Sequence, residues 1–129
     1  MLRLEEVHAN YGAIHALRGV SLEIKEGQIV CLIGCNGAGK SSTLMAISGI
    51  LRPHAGQGIF EGENLVDVPA HAIVQRGISQ VPEGRRIFSK LTVLENLEMG
   101  AYTRVDSARV RQDLDRVFSL FPLLGERRF

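Results

Sequence analysis

Eight consecutive residues in the first third of the chain, Gly34-Cys35-Asn36-Gly37-Ala38-Gly39-Lys40-Ser41, have the types and spacing that bind phosphate. They fit G-x-x-x-x-G-K-[ST], the Walker A pattern, at every fixed position. The chemistry explains the pattern. Glycines let successive backbone N–H groups turn inward around an anion, and a helix starting at the same point adds partial positive charge. Lys40 would reach the β- and γ-phosphates of ATP, the Ser41 hydroxyl would ligate Mg²⁺, and Ser42 completes the candidate nucleotide-binding set. With Gly at about 7% of average composition, a chance match in a chain of this length is on the order of one in a few hundred. A dinucleotide-binding G-x-G-x-x-G is a weaker rival: it starts at Gly37 and Gly39, meets Ser42 where the third glycine belongs, and gives Lys40 no role. The bland alternative is a glycine turn with a solvated lysine.

A phosphate loop needs a strand before it and a helix after it, and both are expected here. Gln28 to Ile33 is a continuous apolar run bounded by glycines, which suits a strand covered on both faces in a parallel sheet. Lys40 to Ser48 carries Leu44, Ile47 and Leu51 on one helical face, stopped by Gly49 and Pro53. Ahead of these, Leu2, Leu4 and Val7, and then Val20, Leu22 and Ile24, are spaced like inward residues of half-exposed antiparallel strands. Beyond them, Gly56 to Glu63 reads as a short strand, Asp67 to Gln75 as a short helix with Pro69 in its first turn, and Ile78 to Val81 as a brief strand. Thr92 with Glu95 forms a capping box that starts a helix running to about Ala101. A last helix, about Ser107 to Phe121, has Val110, Leu114, Val117, Phe118 and Phe121 on one stripe, and Pro122 ends it. No repeat, low-complexity tract or linker divides the chain.

The 129 residues suffice for one domain that buries roughly two-thirds of its unfolded surface. Fifteen Lys and Arg balance fourteen Asp and Glu, so no basic excess points to nucleic acid. The longest apolar run, Ile29 to Ile33, is far short of the ~20 residues that span a bilayer, and the N-terminus lacks a secretory apolar core. A cytoplasmic chain is expected. Cys31 and Cys35 read as reduced, partly buried thiols, and the four histidines fall in no metal-ligand spacing.

A phosphate loop gives the ligand class and not the function. A GTPase would need Asn-Lys-x-Asp, and Asn64-Leu65-Val66-Asp67 lacks the lysine. A small kinase stays open, with Arg85 and Arg86 as lid arginines. Three further features, taken in register, resemble ATP-binding-cassette (ABC) ATPases. Tyr11-Gly12 lies about twenty residues before the loop, where that family places an aromatic residue on the adenine; otherwise Tyr11 packs a strand end. Val20-Ser21-Leu22-Glu23-Ile24 is similar to the family's antiparallel strand before the loop. Ser79-Gln80-Val81-Pro82 resembles its Q-loop, in which a glutamine meets Mg²⁺ and the attacking water. Pro82-Glu83-Gly84-Arg85-Arg86-Ile87-Phe88, Leu91-Thr92-Val93-Leu94-Glu95-Asn96-Leu97 and Phe121-Pro122-Leu123-Leu124 resemble the subunits of branched-chain amino acid (LIV-type) importers.

The resemblance runs over essentially the whole chain. It implies an α/β fold with a partial P-loop NTPase core and an antiparallel β front subdomain. It also implies Lys40 and Gln80 as catalytic residues, Ser41 and Gln80 at the metal, and ATP with Mg²⁺ as cofactors. Partners would be a second ATP-binding subunit and transmembrane permease subunits touching Gln80 to Phe88, at the inner face of the plasma membrane. The family's Leu-Ser-Gly-Gly-Gln signature, its apolar strand ending in Asp-Glu (Walker B) and its switch histidine are not in this sequence. Residues 1–129 are therefore expected to be the N-terminal portion of such a domain, able to bind nucleotide and inactive in hydrolysis alone.

Overall fold

The computed structural model describes residues 1–84 and 86–129. Arg85, one of the two expected lid arginines, lies outside the described residues. The chain falls into two compact units, Met1–Gln80 and Val81–Phe129, with no shift of composition to mark the boundary.

The first unit is built on the antiparallel strands expected at the front. β1 (Leu2–Tyr11) and β2 (Ile14–Ile24) form a hairpin, and β3 (Ala55–Phe60) pairs with the other edge of β1. β4 (Glu63–Asn64) completes a four-stranded sheet of order β2-β1-β3-β4. The buried residues of β1 are Leu2, Leu4, Val7 and Ala9, which is not a strict alternation. The register shifts between Leu4 and Val7, and Glu6 has φ 45°, so a bulge inserts one residue and keeps all four side chains on one face. The single strand expected from Gly56 to Glu63 is instead a hairpin. Glu61 and Gly62, at φ 50° and 88°, form its two-residue turn, the positive-φ pair that matches strand twist.

Helix α1 (Lys40–Ile47) packs Ala46 and Ile47 against this sheet, and Leu17, Leu51, Leu65 and Ile73 close the core. Burying each large aliphatic side chain contributes about 1.5–3 kcal/mol, so this cluster is the main source of the unit's stability. α2 (Ala70–Gln75) supplies Ile73 and starts later than expected. Pro69 is its N-cap in extended conformation, and Asp67 lies outside the helix, paired with Arg52.

Two expected strands are not formed. Gln28–Ile33 and Ile78–Val81 have no ladder partner among the described residues, and Ile29 and Ile33 are each 95% exposed. A run apolar on both faces forms a stable strand only when neighbours cover both faces, and no described strand lies beside either segment. Cys31 and Cys35 are consequently exposed free thiols rather than partly buried ones.

The second unit is helical. α3 (Val93–Gly100) opens with the expected capping box: Thr92 Oγ accepts from the Glu95 N–H at 3.2 Å, and Glu95 Oε2 accepts from the Thr92 N–H at 2.7 Å. α4 (Ser107–Leu120) is capped by Asp106 and linked to the end of α3 by Arg104 on Asp113. Its stripe is half-buried at Val110, Leu114, Val117 and Phe118, whereas Phe121 leaves the helix at φ −130° and is exposed. Pro122 ends α4 as expected and also opens a further helix, α5 (Pro122–Glu126). Its missing N–H costs nothing at a first helical position.

Candidate nucleotide-binding site

The phosphate loop runs into α1 through a junction that only glycine fits. Gly39 is the N-cap of α1 with φ 87°, and a Cβ built there would lie 3.0 Å from both the Ala16 carbonyl oxygen and Leu17 Cδ2. The loop is thus pressed against β2 from one side. From the other side Thr43 pins it, because both the Thr43 backbone N–H and Oγ1 donate to the Gly39 carbonyl, at 2.8 and 2.9 Å. Thr43 is buried, and its place three residues after Lys40 puts it on the inner face of the helix, a signal in the sequence beyond the fixed positions of the loop pattern.

Lys40 turns back over the loop. Its Nζ donates to the carbonyl oxygens of Gly34 and Cys35, both at 2.8 Å, so two of the three ammonium donors hold the loop closed on itself. Gly37 has φ 86°, and the Ala38 N–H donates to the Cys35 carbonyl at 3.2 Å. A helix N-terminus without a side-chain cap, glycines that turn the backbone, and an ammonium beside the loop form an arrangement whose chemistry could receive an anion such as phosphate. Ser41 and Ser42, the next residues, lie in the first turn of α1. Hydroxyl oxygens of that type suit Mg²⁺, a hard cation that takes few protein ligands alongside phosphate oxygens. Among the described residues no group of three or more His, Cys, Asp or Glu could hold a metal by itself.

Tyr11 and Gln80 stand at different distances from this loop. Tyr11 ends β1, 46% exposed, and its hydroxyl donates to Met45 Sδ on α1 at 3.1 Å. Met45 is five residues from Lys40, roughly 7–8 Å along the helix axis. Gln80 belongs to the other end of α1, where its Oε1 accepts from Ser48 Oγ at 2.6 Å. Ser48 and Ser41 are seven residues apart, roughly 10 Å of helical rise. The two expected metal-binding residues, Ser41 and Gln80, are therefore not brought together in this structure.

The geometry can be set beside known proteins. The family model for ABC transporters matches residues 17–127. The chain is 49% identical over 128 residues to the high-affinity branched-chain amino acid transport ATP-binding protein BraG of Pseudomonas aeruginosa, covering 98% of this chain and 54% of that protein. It is 37% identical over 124 residues to the probable branched-chain amino acid transport ATP-binding protein LivF of Archaeoglobus fulgidus, covering 96% and 52%. A solved ATP-binding subunit of an ABC transporter matches with TM-score 0.85 at 29% identity, over 99% of this chain and 52% of that one. A dimeric ATP-binding cassette in a post-hydrolysis state, bound to ADP and Pi, matches with TM-score 0.73 at 26% identity, over 87% and 53%. The chain spans about half the length of the curated relatives it matches. Its fold is the corresponding part of an ABC ATPase α/β domain, and the chain belongs to the ABC transporter family.

Proposed function

We propose that this chain binds ATP with Mg²⁺ at Gly34–Ser42 and serves the ATP-binding subunit of an ABC importer for branched-chain amino acids. The observation that carries the reading is the loop itself, with Gly39 wedged on β2 and Lys40 Nζ on the Gly34 and Cys35 carbonyls. Loop N–H groups and Lys40 would hold the phosphates, Ser41 the metal, and Tyr11 the base. Bound Mg²⁺ would neutralise phosphate charge. Gln80 would serve the metal in a state where its amide has left Ser48. The named activities of BraG and LivF support the substrate class.

The same reading gives the partners. A second ATP-binding subunit would complete the site, and transmembrane permease subunits would dock on the Gln80 to Phe88 region, which holds the subunit to the cytoplasmic face of the membrane. The second unit supports this with an apolar groove of about 620 Å³ lined by Ile87, Phe88, Val93, Leu97, Met99 and Tyr102. No helix of the described residues is long and apolar enough to cross a membrane.

We further propose that residues 1–129 alone hold nucleotide without turnover. Glu61 lies in the β3–β4 turn, and no described strand leads into Glu83. Losing one positioned group in such a site commonly costs about 10² to 10³ in rate. A phosphate-release assay on the purified chain, with Lys40→Ala as the control for contaminating ATPase, should read background. Turnover that vanishes in the Lys40 variant would show a catalytic carboxylate within these residues. For the whole subunit, co-expression with its permease should restore leucine uptake in an importer-deficient strain, and unrestored uptake would overturn the substrate class.

A further inference from the structure

Glu6 stands inside β1 with φ 45°, and it and the turn residue Glu61 are the non-glycine residues at positive φ among the described residues. A turn tolerates that conformation, but inside a strand it persists only where the surroundings hold it. Here they do. The Glu6 N–H donates to Ser21 Oγ on β2 at 3.0 Å, and the same hydroxyl donates to Glu6 Oε1 at 2.9 Å. Both flanking strands also leave room for the residue. A Cβ at Gly19 on β2 would lie 2.9 Å from Glu6 Oε2, and one at Gly56 on β3 would strike the Glu6 carbonyl. Glycine would reach this φ at no cost, so what the glutamate adds at position 6 is the bond to Ser21.

The conformation decides where the end of the strand points. Side chains alternate along an unbulged strand, so Tyr11 would lie on the face opposite Leu2 and Leu4. The extra residue at Glu6 reverses that. From Leu4 to Val7 β1 advances three residues while its partner, from Leu22 to Val20, advances two, and Val7, Ala9 and Tyr11 join the face of Leu2 and Leu4. On that face α1 packs, and there the Tyr11 hydroxyl reaches Met45. Val7 and Ala9 are fully buried and fixed by the core, whereas Tyr11 stands beyond it at the exposed end of the hairpin. The direction of its ring therefore depends on the bulge behind it.

We propose that Ser21 and Glu6 are positioning residues for the base of the bound nucleotide: the Ser21 hydroxyl holds the Glu6 bulge, and the bulge sets the Tyr11 ring on the face where α1 packs. This rests on the reading that Tyr11 takes the base. Neither Ser21 nor Glu6 need touch the nucleotide.

The test is isothermal titration of Mg·ATP and of Mg·triphosphate into the full-length subunit and its variants. Ser21→Ala leaves the Glu6 N–H and carboxylate without their cross-strand partner. It should weaken ATP on the order of fivefold, the lower end of what a base–aromatic stack contributes, and leave triphosphate unchanged. Ser21→Thr keeps the hydroxyl and should bind both ligands as the wild type does. Glu6→Gly keeps the backbone conformation but removes the carboxylate, and it should show the same selective loss if Ser21→Ala folds poorly. In a Tyr11→Ala background, Ser21→Ala should cost ATP nothing further, because the ring it positions is gone. A loss that persists in that background, or that falls equally on ATP and triphosphate, would overturn the proposal, since the pair would then be holding the fold. If Tyr11→Ala selectively weakens ATP and neither Ser21→Ala nor Glu6→Gly does, the positioning role is overturned while Tyr11 keeps the base. If Tyr11→Ala leaves ATP unchanged, the reading of Tyr11 fails and the proposal fails with it.

Discussion

The hydroxyl of Tyr11 donates to Met45 Sδ at 3.1 Å, tying the end of the β1–β2 hairpin to the helix that follows the phosphate loop. This bond fixes one edge of the ring and leaves 46% of the residue exposed. An aromatic ring anchored at its edge can still offer a face to a base. Tyr11→Phe, which removes only the hydroxyl, should retain most ATP affinity. Tyr11→Ala should lose about 1–3 kcal/mol of ATP binding, as base–aromatic stacks do, and leave inorganic triphosphate unaffected. Isothermal titration with both ligands decides the matter. Equal losses for the two would make Tyr11 a packing residue.

Gly39 gives a second prediction, about the loop's fit on β2. Gly39→Ala places a methyl 3.0 Å from the Ala16 carbonyl oxygen and Leu17 Cδ2 at a φ of 87°. An L-residue in left-handed conformation costs about 1–2 kcal/mol before any clash. The variant should melt earlier and bind Mg·ATP at least tenfold more weakly. Gly37→Ala meets nothing within 4 Å and should cost only the conformational part. Indistinguishable behaviour of the two variants would contradict the close approach.

The phosphate loop, α1, the front hairpin and the Thr92–Glu95 cap were legible in the sequence because each is set by local chemistry. Glycine conformations, helix periodicity and a four-residue cap need no distant partner. The run Gln28–Ile33 has the pattern of a covered strand, yet covering is a tertiary event and no described strand lies beside it. The Glu5–Glu6 bulge and the Glu61-Gly62 turn are not legible in the sequence, since both alter strand register without breaking the apolar pattern. Pro122 signals a stop in the sequence, and a proline that ends one helix can also occupy the first position of the next. Gln80 is expected at the metal through the resemblance to a Q-loop, and a resemblance carries no information about its amide on Ser48.

Acid should loosen α3 before neutral conditions do. The Thr92 backbone N–H and then its hydroxyl, both donating to Glu95, hold the Glu95 carboxyl below the usual carboxylate range. A carboxyl lowered in the folded state stabilises the fold above its unfolded value, and the contribution is lost as pH falls through the lowered one. The cap should therefore be intact at pH 5–8 and erode below about pH 4, and Glu95→Gln should remove that dependence. A carbon-detected titration of Glu95 reads it directly. A midpoint at or above that of an unstructured Glu would contradict the bond.

The central claim is that Gly34–Ser42 binds ATP through its loop and Lys40, and equilibrium binding of labelled ATP with Mg²⁺ to the wild-type chain and to Lys40→Ala tests it most directly. Lys40 Nζ closes the loop on the Gly34 and Cys35 carbonyls and is the cation nearest the phosphates in this reading. A hydrogen bond to a charged group contributes about 1.5–3 kcal/mol, so the variant should bind at least tenfold more weakly with unchanged circular dichroism. Saturating ATP should raise the wild-type stability by about 2.7 kcal/mol at a hundred times Kd and should do so far less in the variant. Equal ATP affinity in the two proteins would contradict the assignment of this loop as the nucleotide site.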